Sequence, residues 1–521
     1  MKKTVRVLRA GGSRADKQLH YIPIRYIIAA MLTLFSILAI IGIVAALCYF
    51  VPCFHPVAYL ISCGCVIKLI SSDDNPDYKV PWIVFVLVVP IAGFMLYLMF
   101  YSRKLHKKFV RRLEQLPLYF YKKEDAAAHA ALCKENEGAA SQARMLTQIS
   151  GSTLFCNTGV TYYPSGEEMH KALLEDLAKA ERFILLEFFI IEEGIFWNSI
   201  LEILKTKAAQ GITVRVCYDD IGCMRTLPGN YSRQLQKMGI AATPFSRLRG
   251  NADSEFNNRN HRKILVIDGR VGYTGGVNLA DEYINRVKRF GHWKDTAVRL
   301  EGEAVWQLTQ MALCDFAINV RQLPSLPPNA YPESSVCAPG YLIPFGDGPR
   351  PLYKHGVGKS VIQNLLNSAN RYVYITTPYL IIDNDMCQCI ENAALRGVEV
   401  KIIVPHIPDK KLVFSMTQSY YKRLIEAGVQ IFEYEPGFIH AKSYVADGEY
   451  AMIGTINLDY RSLVHHFENG VWLYKCPCIA DMKSDFEQTL ERSIPITPDM
   501  LKTSLLRRFF RALVRILAPL M

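Results

Sequence analysis

No Cys-x-x-Cys pair occurs in the 521 residues, although the chain holds 14 cysteines. They are scattered along the chain. Cys63/Cys65 and Cys476/Cys478 are one residue apart, too close for zinc-ribbon geometry. They read as reduced, mostly buried thiols of a cytosol-facing protein, and no metal or other cofactor is implied. A nucleotide-binding loop is also missing. Gly356-Val-Gly-Lys-Ser360 imitates one, but the Gly needed five positions before the Gly-Lys pair is Tyr353, so the stretch reads as a helix start. Charge is absent altogether from residues 26–50. That run is too long for the apolar part of a signal peptide and no Ala-x-Ala site follows it, so an uncleaved membrane helix is expected.

Apolar surface, by contrast, is in excess. Half the residues are hydrophobic, 21% are charged and the mean hydropathy is +0.09, high for a soluble enzyme. The net charge of +12 is unevenly placed. Residues 1–25 carry seven basic side chains, 102–112 six and 502–515 five, leaving the rest net acidic. Basic excess beside apolar segments suits anionic lipid headgroups better than a nucleic-acid groove.

A second apolar run, 82–101, is of spanning length, while 53–70 is apolar but contains His55, Pro56 and Lys68. Both basic flanks belong in the cytoplasm only if the number of crossings is even. The expectation is therefore two spans, 26–50 and 82–101, with 53–70 re-entrant or a third span, all within a membrane region at 1–104. A polar, Ala-rich helical connector follows at 105–150. The tail, 501–521, places arginines on one helical face and bulky apolar residues on the other, as an in-plane membrane helix does. A helix docked on the domain core is its alternative.

From 151 onward the pattern alternates helix and strand, and it does so twice. Phe183–Ile191, Gly211–Tyr218 and Met238–Ala241 are answered by Tyr372–Leu380, Gly397–Val404 and Ala427–Phe432. Two α/β halves, 151–325 and 326–500, are expected from a tandem duplication. Each half contains the same short stretch: His261-Arg-Lys-Ile-Leu-Val-Ile-Asp268 and His440-Ala-Lys-Ser-Tyr-Val-Ala-Asp447. One His-x-Lys is common by chance, but two with identical spacing are a strong signal. Strand alternation puts His261 and Lys263, and likewise His440 and Lys442, on one face. A neutral imidazole beside an ammonium suits attack on a phosphodiester whose oxygens the lysine holds.

A second strand follows each motif, with Gly275-Gly-Val-Asn278 in one half and Gly454-Thr-Ile-Asn457 in the other. Small residues would let an anionic group approach the backbone, and the amides of Asn278 and Asn457 would donate to phosphate oxygens. Each His also needs a carboxylate to fix its tautomer. Asp295 lies downstream of His261 and Glu468 at a similar distance downstream of His440. Asp268 and Asp447 end their strands at Asp-Gly turns, so turn capping is an equal alternative for them. His292, His465 and His466 are expected to pack nearby rather than react.

The paired His-x-Lys-x4-Asp motifs resemble the phospholipase D superfamily. Asn75-Pro-Asp-Tyr-Lys-Val-Pro-Trp82, Asn260-His-Arg-Lys263, Gly275–Tyr283 and Asn457-Leu-Asp-Tyr-Arg-Ser462 are similar to bacterial cardiolipin synthases. The resemblance runs from about residue 26 to the C-terminus. It implies an α/β fold in which N-terminal transmembrane helices precede two phospholipase D-like α/β/α sandwich halves packed with pseudo-two-fold symmetry. It implies His261, Lys263, Asp268, His440, Lys442 and Asp447 as the catalytic set, with His261 as nucleophile and His440 as acid and base. It further implies phosphatidyl transfer between two phosphatidylglycerol molecules at a cell membrane, with the catalytic domain on the cytoplasmic face. Hydrolysis, transfer to another alcohol, and lipid binding without catalysis are the alternatives.

Overall fold

In the computed structural model, residues 54–101, 107–116, 125–247, 257–320, 330–331 and 336–502 are described, with scattered positions at 5–6, 21–22, 27–49 and 504–515. The expected span at 26–50 falls largely outside them.

Alternating apolar residues in each half build a mixed sheet, and the two sheets have the same strand order. The first runs Thr158–Tyr163, Ala297–Gly302, Val271–Gly275, Ile264–Ile267, Phe183–Phe188, Thr213–Asp219 and Ala241–Phe245. The second runs Tyr341–Asp347, Glu468–Tyr474, Tyr450–Gly454, Ser443–Ala446, Tyr372–Thr376, Glu399–Pro405 and Gln430–Tyr434, with Ser493–Pro495 added at the edge. The duplication expected from the sequence is thus a duplicated topology, and each His-x-Lys strand is central in its sheet.

Strands this deep are apolar on both faces. One face of the first sheet packs Ile184, Leu186 and Leu265 under the helices Gly166–Ala178 and Ile195–Ala209. The other face, with Leu185, Ile264 and Val266, shares a single core with Val445, Ile453 and Val471 of the second sheet. The halves are therefore joined through a common hydrophobic interior. The connector helices Ala126–Glu135 and Glu137–Ser150 pack on the second half, where Leu132, Ala143 and Leu146 join Ile362 and Leu365. Val514 of the tail is buried in the same core. Arg511 there donates to Gln418 at 2.6 Å and Arg515 lies over the Tyr420 ring. Among the described tail residues, Leu505 and Phe509 are exposed while Val514 is docked.

The N-terminal region departs from expectation. The stretch 82–101 is not one helix. Pro76–Val88 and Ala92–Phe100 are separate, broken at Val89–Ile91, where Pro90 removes a backbone donor and Ile91 takes φ +60°. The piece at 53–70 is a 17-residue helix, Phe54–Ile70, reaching about 25 Å at the usual rise. Among the described residues, no helix is long and apolar enough to cross a membrane. The three helices share a small core of Leu69, Tyr78, Trp82, Val86 and Tyr97, while Leu60, Ile67, Val84 and Val88 are exposed.

Candidate active site

Each histidine sits in the extended segment leading into its central strand, and that segment is clamped by the other half. The His261 N–H donates to the Phe467 carbonyl at 2.8 Å, and the His440 N–H to the Lys294 carbonyl at 2.7 Å. Phe467 and Lys294 immediately precede the two carboxylates. In consequence the side-chain pairs are crossed. His261 Nδ1 lies 2.9 Å from Glu468 Oε2, and His440 Nδ1 lies 2.6 Å from Asp295 Oδ2. Both carboxylates are the residues singled out in the sequence, but each serves the histidine of the other half rather than the one it follows. Parallel pairing of Gly437–Ile439 with His292–Lys294 fixes this exchange.

All four side chains are buried. Burial pushes the imidazoles down, to about 3 for His261 and about 4 for His440. Burial alone would raise the carboxyls. Facing His261 holds Glu468 well below its ordinary range, and facing His440 with Lys442 lowers Asp295. Each pair is thus a neutral imidazole donating Nδ1–H to a carboxylate, which leaves Nε2 with a free lone pair. Lys263 Nζ donates to the His261 carbonyl at 2.7 Å, and Lys442 makes the same bond to His440. Burial lowers these lysines to about 7 and about 8.

The surroundings of the two histidines differ. Tyr283, Trp293 and Phe438 rings lie 5.4–5.9 Å from His440. Phe189 at 5.0 Å and His466 at 5.6 Å flank His261. His466 stands two residues before Glu468, as Trp293 stands two before Asp295.

Asp268 and Asp447 lie at the far ends of their strands. Asp268 accepts the backbone N–H groups of Glu181, Arg182 and Phe183 at 2.7–2.8 Å. Asp447 accepts those of Asn370, Arg371 and Tyr372 at 2.8–2.9 Å. Both have φ near +55°, at the turn. These contacts are those of the turn-capping alternative: the carboxylates tie down the starts of the neighbouring strands Phe183–Phe188 and Tyr372–Thr376.

Asn278 is occupied as well. Its oxygen accepts from Ile190 N at 3.0 Å and its amide donates to the Tyr283 hydroxyl at 2.7 Å. Asn457 donates to Asp459 at 3.1 Å, and its buried oxygen has no partner among the described residues. The small residues beside them serve the carboxylates. A Cβ on Gly276 would stand 2.0 Å from Asp295 Oδ1, and Thr455, its counterpart, donates to Glu468.

Sequence reasoning missed the buried polar brace behind His261. Arg262 donates to Asp315 at 2.8 Å and to the Glu468 carbonyl at 3.0 Å. Asn260 donates to Glu187 at 2.5 Å, and burial next to Asp315 raises the Glu187 carboxyl. The available signal was Arg262 itself, a charge inside a strand entry where the second motif has Ala441. Lys359 of the imitation phosphate loop pairs with Asp383 and Asp385 instead. Among the described residues, His261, His466 and Glu468 are the trio whose ligand-type atoms all lie within 4.8 Å of one another.

Two histidines on crossed carboxylates with two lysines suit covalent transfer of a phosphodiester group. Known families agree. "Cardiolipin synthase, PLD-like domain" matches residues 173–291 and 362–490, and "Phospholipase_D-nuclease N-terminal" matches 57–100. A cardiolipin synthase of Geobacillus sp. is 34% identical over 89% of this chain and 93% of its own length. The chain belongs to the cardiolipin synthase family. An uncharacterized protein of Streptococcus mutans is 41% identical over 88% of the chain and all of its own. The solved phosphatidylserine synthase of Haemophilus influenzae shares the fold, with a TM-score of 0.56 at 16% identity over 74% of this chain and all of that one.

Proposed function

We propose that the chain transfers a phosphatidyl group from one phosphatidylglycerol to a hydroxyl of another, giving cardiolipin and glycerol. The observation that carries this reading is the crossed pair of histidines, each with Nδ1 within 2.9 Å of a buried carboxylate of the other half. In the first step His261 Nε2 attacks phosphorus and the bond to the glycerol oxygen breaks. His440, carrying a proton on Nε2, gives it to that oxygen, and the entering phosphodiester anion favours this protonated state. The product is phosphatidyl-His261, whose positive ring is balanced by Glu468. In the second step His440 takes the proton of the acceptor hydroxyl, its oxygen attacks phosphorus and His261 leaves. Lys263 and Lys442 hold the nonbridging oxygens throughout.

The exposed apolar side chains of the helices 54–100, flanked by basic segments, support a membrane-bound enzyme with its site near the lipid headgroups. The test is incubation of the protein in mixed micelles with labelled phosphatidylglycerol. Cardiolipin plus glycerol is the expected product. Phosphatidic acid alone would mean hydrolysis, and a product formed only with another added alcohol would change the acceptor. Full turnover by His261→Ala would overturn the site.

A further inference from the structure

His466 poses a question that the transfer reaction does not answer. Its side chain is buried, yet neither ring nitrogen has a hydrogen-bond partner among the described residues. Nδ1 stands 3.6 Å from Glu468 Oε1, beyond hydrogen-bond length. A buried imidazole without partners is costly, so it calls for a ligand or a function. In the other half the same place is filled by Trp293, an indole against His440. The imidazole is therefore a departure from the pseudo-symmetry, confined to the His261 side.

What His466 adds is a third donor. One ring nitrogen each of His261 and His466 and a Glu468 oxygen lie within 4.8 Å of one another, and His261 already turns Nδ1 to Glu468 at 2.9 Å. Two imidazoles and a carboxylate are a zinc donor set, with bonds of about 2.0–2.2 Å and a fourth position left for water. Small closing movements of the two rings would bring these atoms to such distances. Hard cations such as Mg²⁺ prefer all-oxygen sets and do not suit this one. The opposing charges are Lys263 and Lys442, each turned onto a histidine carbonyl.

We propose that His261, His466 and Glu468 bind one Zn²⁺ per chain, and that the bound ion switches the active site off. The ion takes the Nδ1 lone pair of His261, and the proton formerly shared with Glu468 relocates to Nε2. No proton is lost overall, but Nε2 no longer has a lone pair with which to attack phosphorus. Glu468 is drawn from orienting the ring to ligating the metal. The Trp293 side lacks the third donor, so a single ion suffices. The inhibitory consequence rests on the transfer reading above; the binding does not.

The experiment uses the full chain in detergent micelles, titrated with Co²⁺ as a spectroscopic probe and with Zn²⁺ as an inhibitor. One equivalent of Co²⁺ should give visible absorption of a nitrogen–oxygen site that Zn²⁺ abolishes, and His466→Gln should lack it. The Zn²⁺ concentration that halves turnover should rise at least about tenfold in His466→Gln, each protein being referred to its own metal-free rate. Mg²⁺ at the same concentration should leave turnover unchanged. An absent Co²⁺ spectrum, a cysteine-thiolate charge-transfer band, or equal Zn²⁺ sensitivity in both proteins would overturn the proposal. If His466→Gln does not fold, His466→Asn takes its place, and the wild-type spectrum and stoichiometry still decide. A protein that binds Co²⁺ as described but transfers no phosphatidyl group refutes the transferase reading and leaves the metal site standing.

Discussion

His261 and Glu468 are 207 residues apart in the chain and 2.9 Å apart in the structure. The reciprocal pair, His440 and Asp295, is separated by 145 residues and 2.6 Å. Neither half supplies the carboxylate for the histidine of its own His-x-Lys motif. A half with its strands in order but its partner missing would have an unoriented imidazole, so the two-fold packing of the halves is itself a condition for chemistry.

Replacing either carboxylate by its amide keeps the shape but removes the acceptor that fixes the Nδ1–H tautomer. Glu468→Gln and Asp295→Asn should each lower kcat by about 10³–10⁴-fold with little loss of folding stability. Because Glu468 acts through His261, the double variant His261→Ala/Glu468→Gln should be no slower than His261→Ala alone. Turnover assays on the single and double variants check this. Additive losses would show that the crossed pair does not act as a unit.

Asp268 and Asp447 should behave in the opposite way. Each accepts three backbone N–H groups at a turn remote from the histidines. Asp268→Ala and Asp447→Ala should each cost about 1–3 kcal/mol of stability, measured by chemical denaturation. Turnover per folded molecule should stay within a few-fold of wild type. A loss of kcat as large as that of a histidine variant would return these residues to the catalytic machinery.

The contrast between these carboxylates tells how far the sequence could be read. The His-x-Lys spacing was legible because strand alternation is local, and the duplication because the order of helices and strands repeats. The identity of Asp295 and Glu468 was legible too, from their matched positions after the motifs. Which histidine each would serve was not, since that depends on how two sheets face each other. The contacts of Asn278 were illegible for a related reason: its partners, Ile190 and Tyr283, are brought to it by folding. Pro90 did mark the helix break at 89–91, but the hydropathy of the whole run outweighed it.

The lysines set the pH dependence. Burial lowers Lys263 to about 7 and Lys442 to about 8, while His261 and His440, at about 3 and about 4, are already neutral across that range. Raising the pH through 7–8 therefore removes positive charge from the free site and leaves the imidazoles unchanged. Since charged lysines hold the phosphodiester, kcat/KM should fall on the alkaline side with an apparent value between about 7 and 8. The acid limb, from protonation of the attacking His261, should appear only as pH approaches about 3. A profile that rises from pH 6 to 9 would contradict this order of titrations.

The loop joining the helices Phe54–Ile70 and Pro76–Val88 is bound to the second half beside the site. Asp77 accepts the Asn384 N–H at 2.7 Å, at the start of the helix Asn384–Leu395, and the Tyr460 hydroxyl at 3.4 Å. Asn75 donates to Asp383 at 2.7 Å, and the Tyr78 ring lies 5.8 Å from His465. His465 ends the single helical turn Arg461–His465, and the next residues are His466, Phe467 and Glu468. The N-terminal helices are therefore fastened to the segment that delivers the carboxylate of His261. A carboxylate at a helix N-terminus is favourable, and removing it in Asp77→Ala should loosen this fastening by about 1 kcal/mol. In micelles, where membrane anchoring is no longer limiting, kcat should drop about fivefold, the rate equivalent of that loss, with KM little changed. An unchanged kcat would mean that the helices serve attachment alone. A raised KM at constant kcat would mean that the loop acts on lipid binding rather than on the position of Glu468.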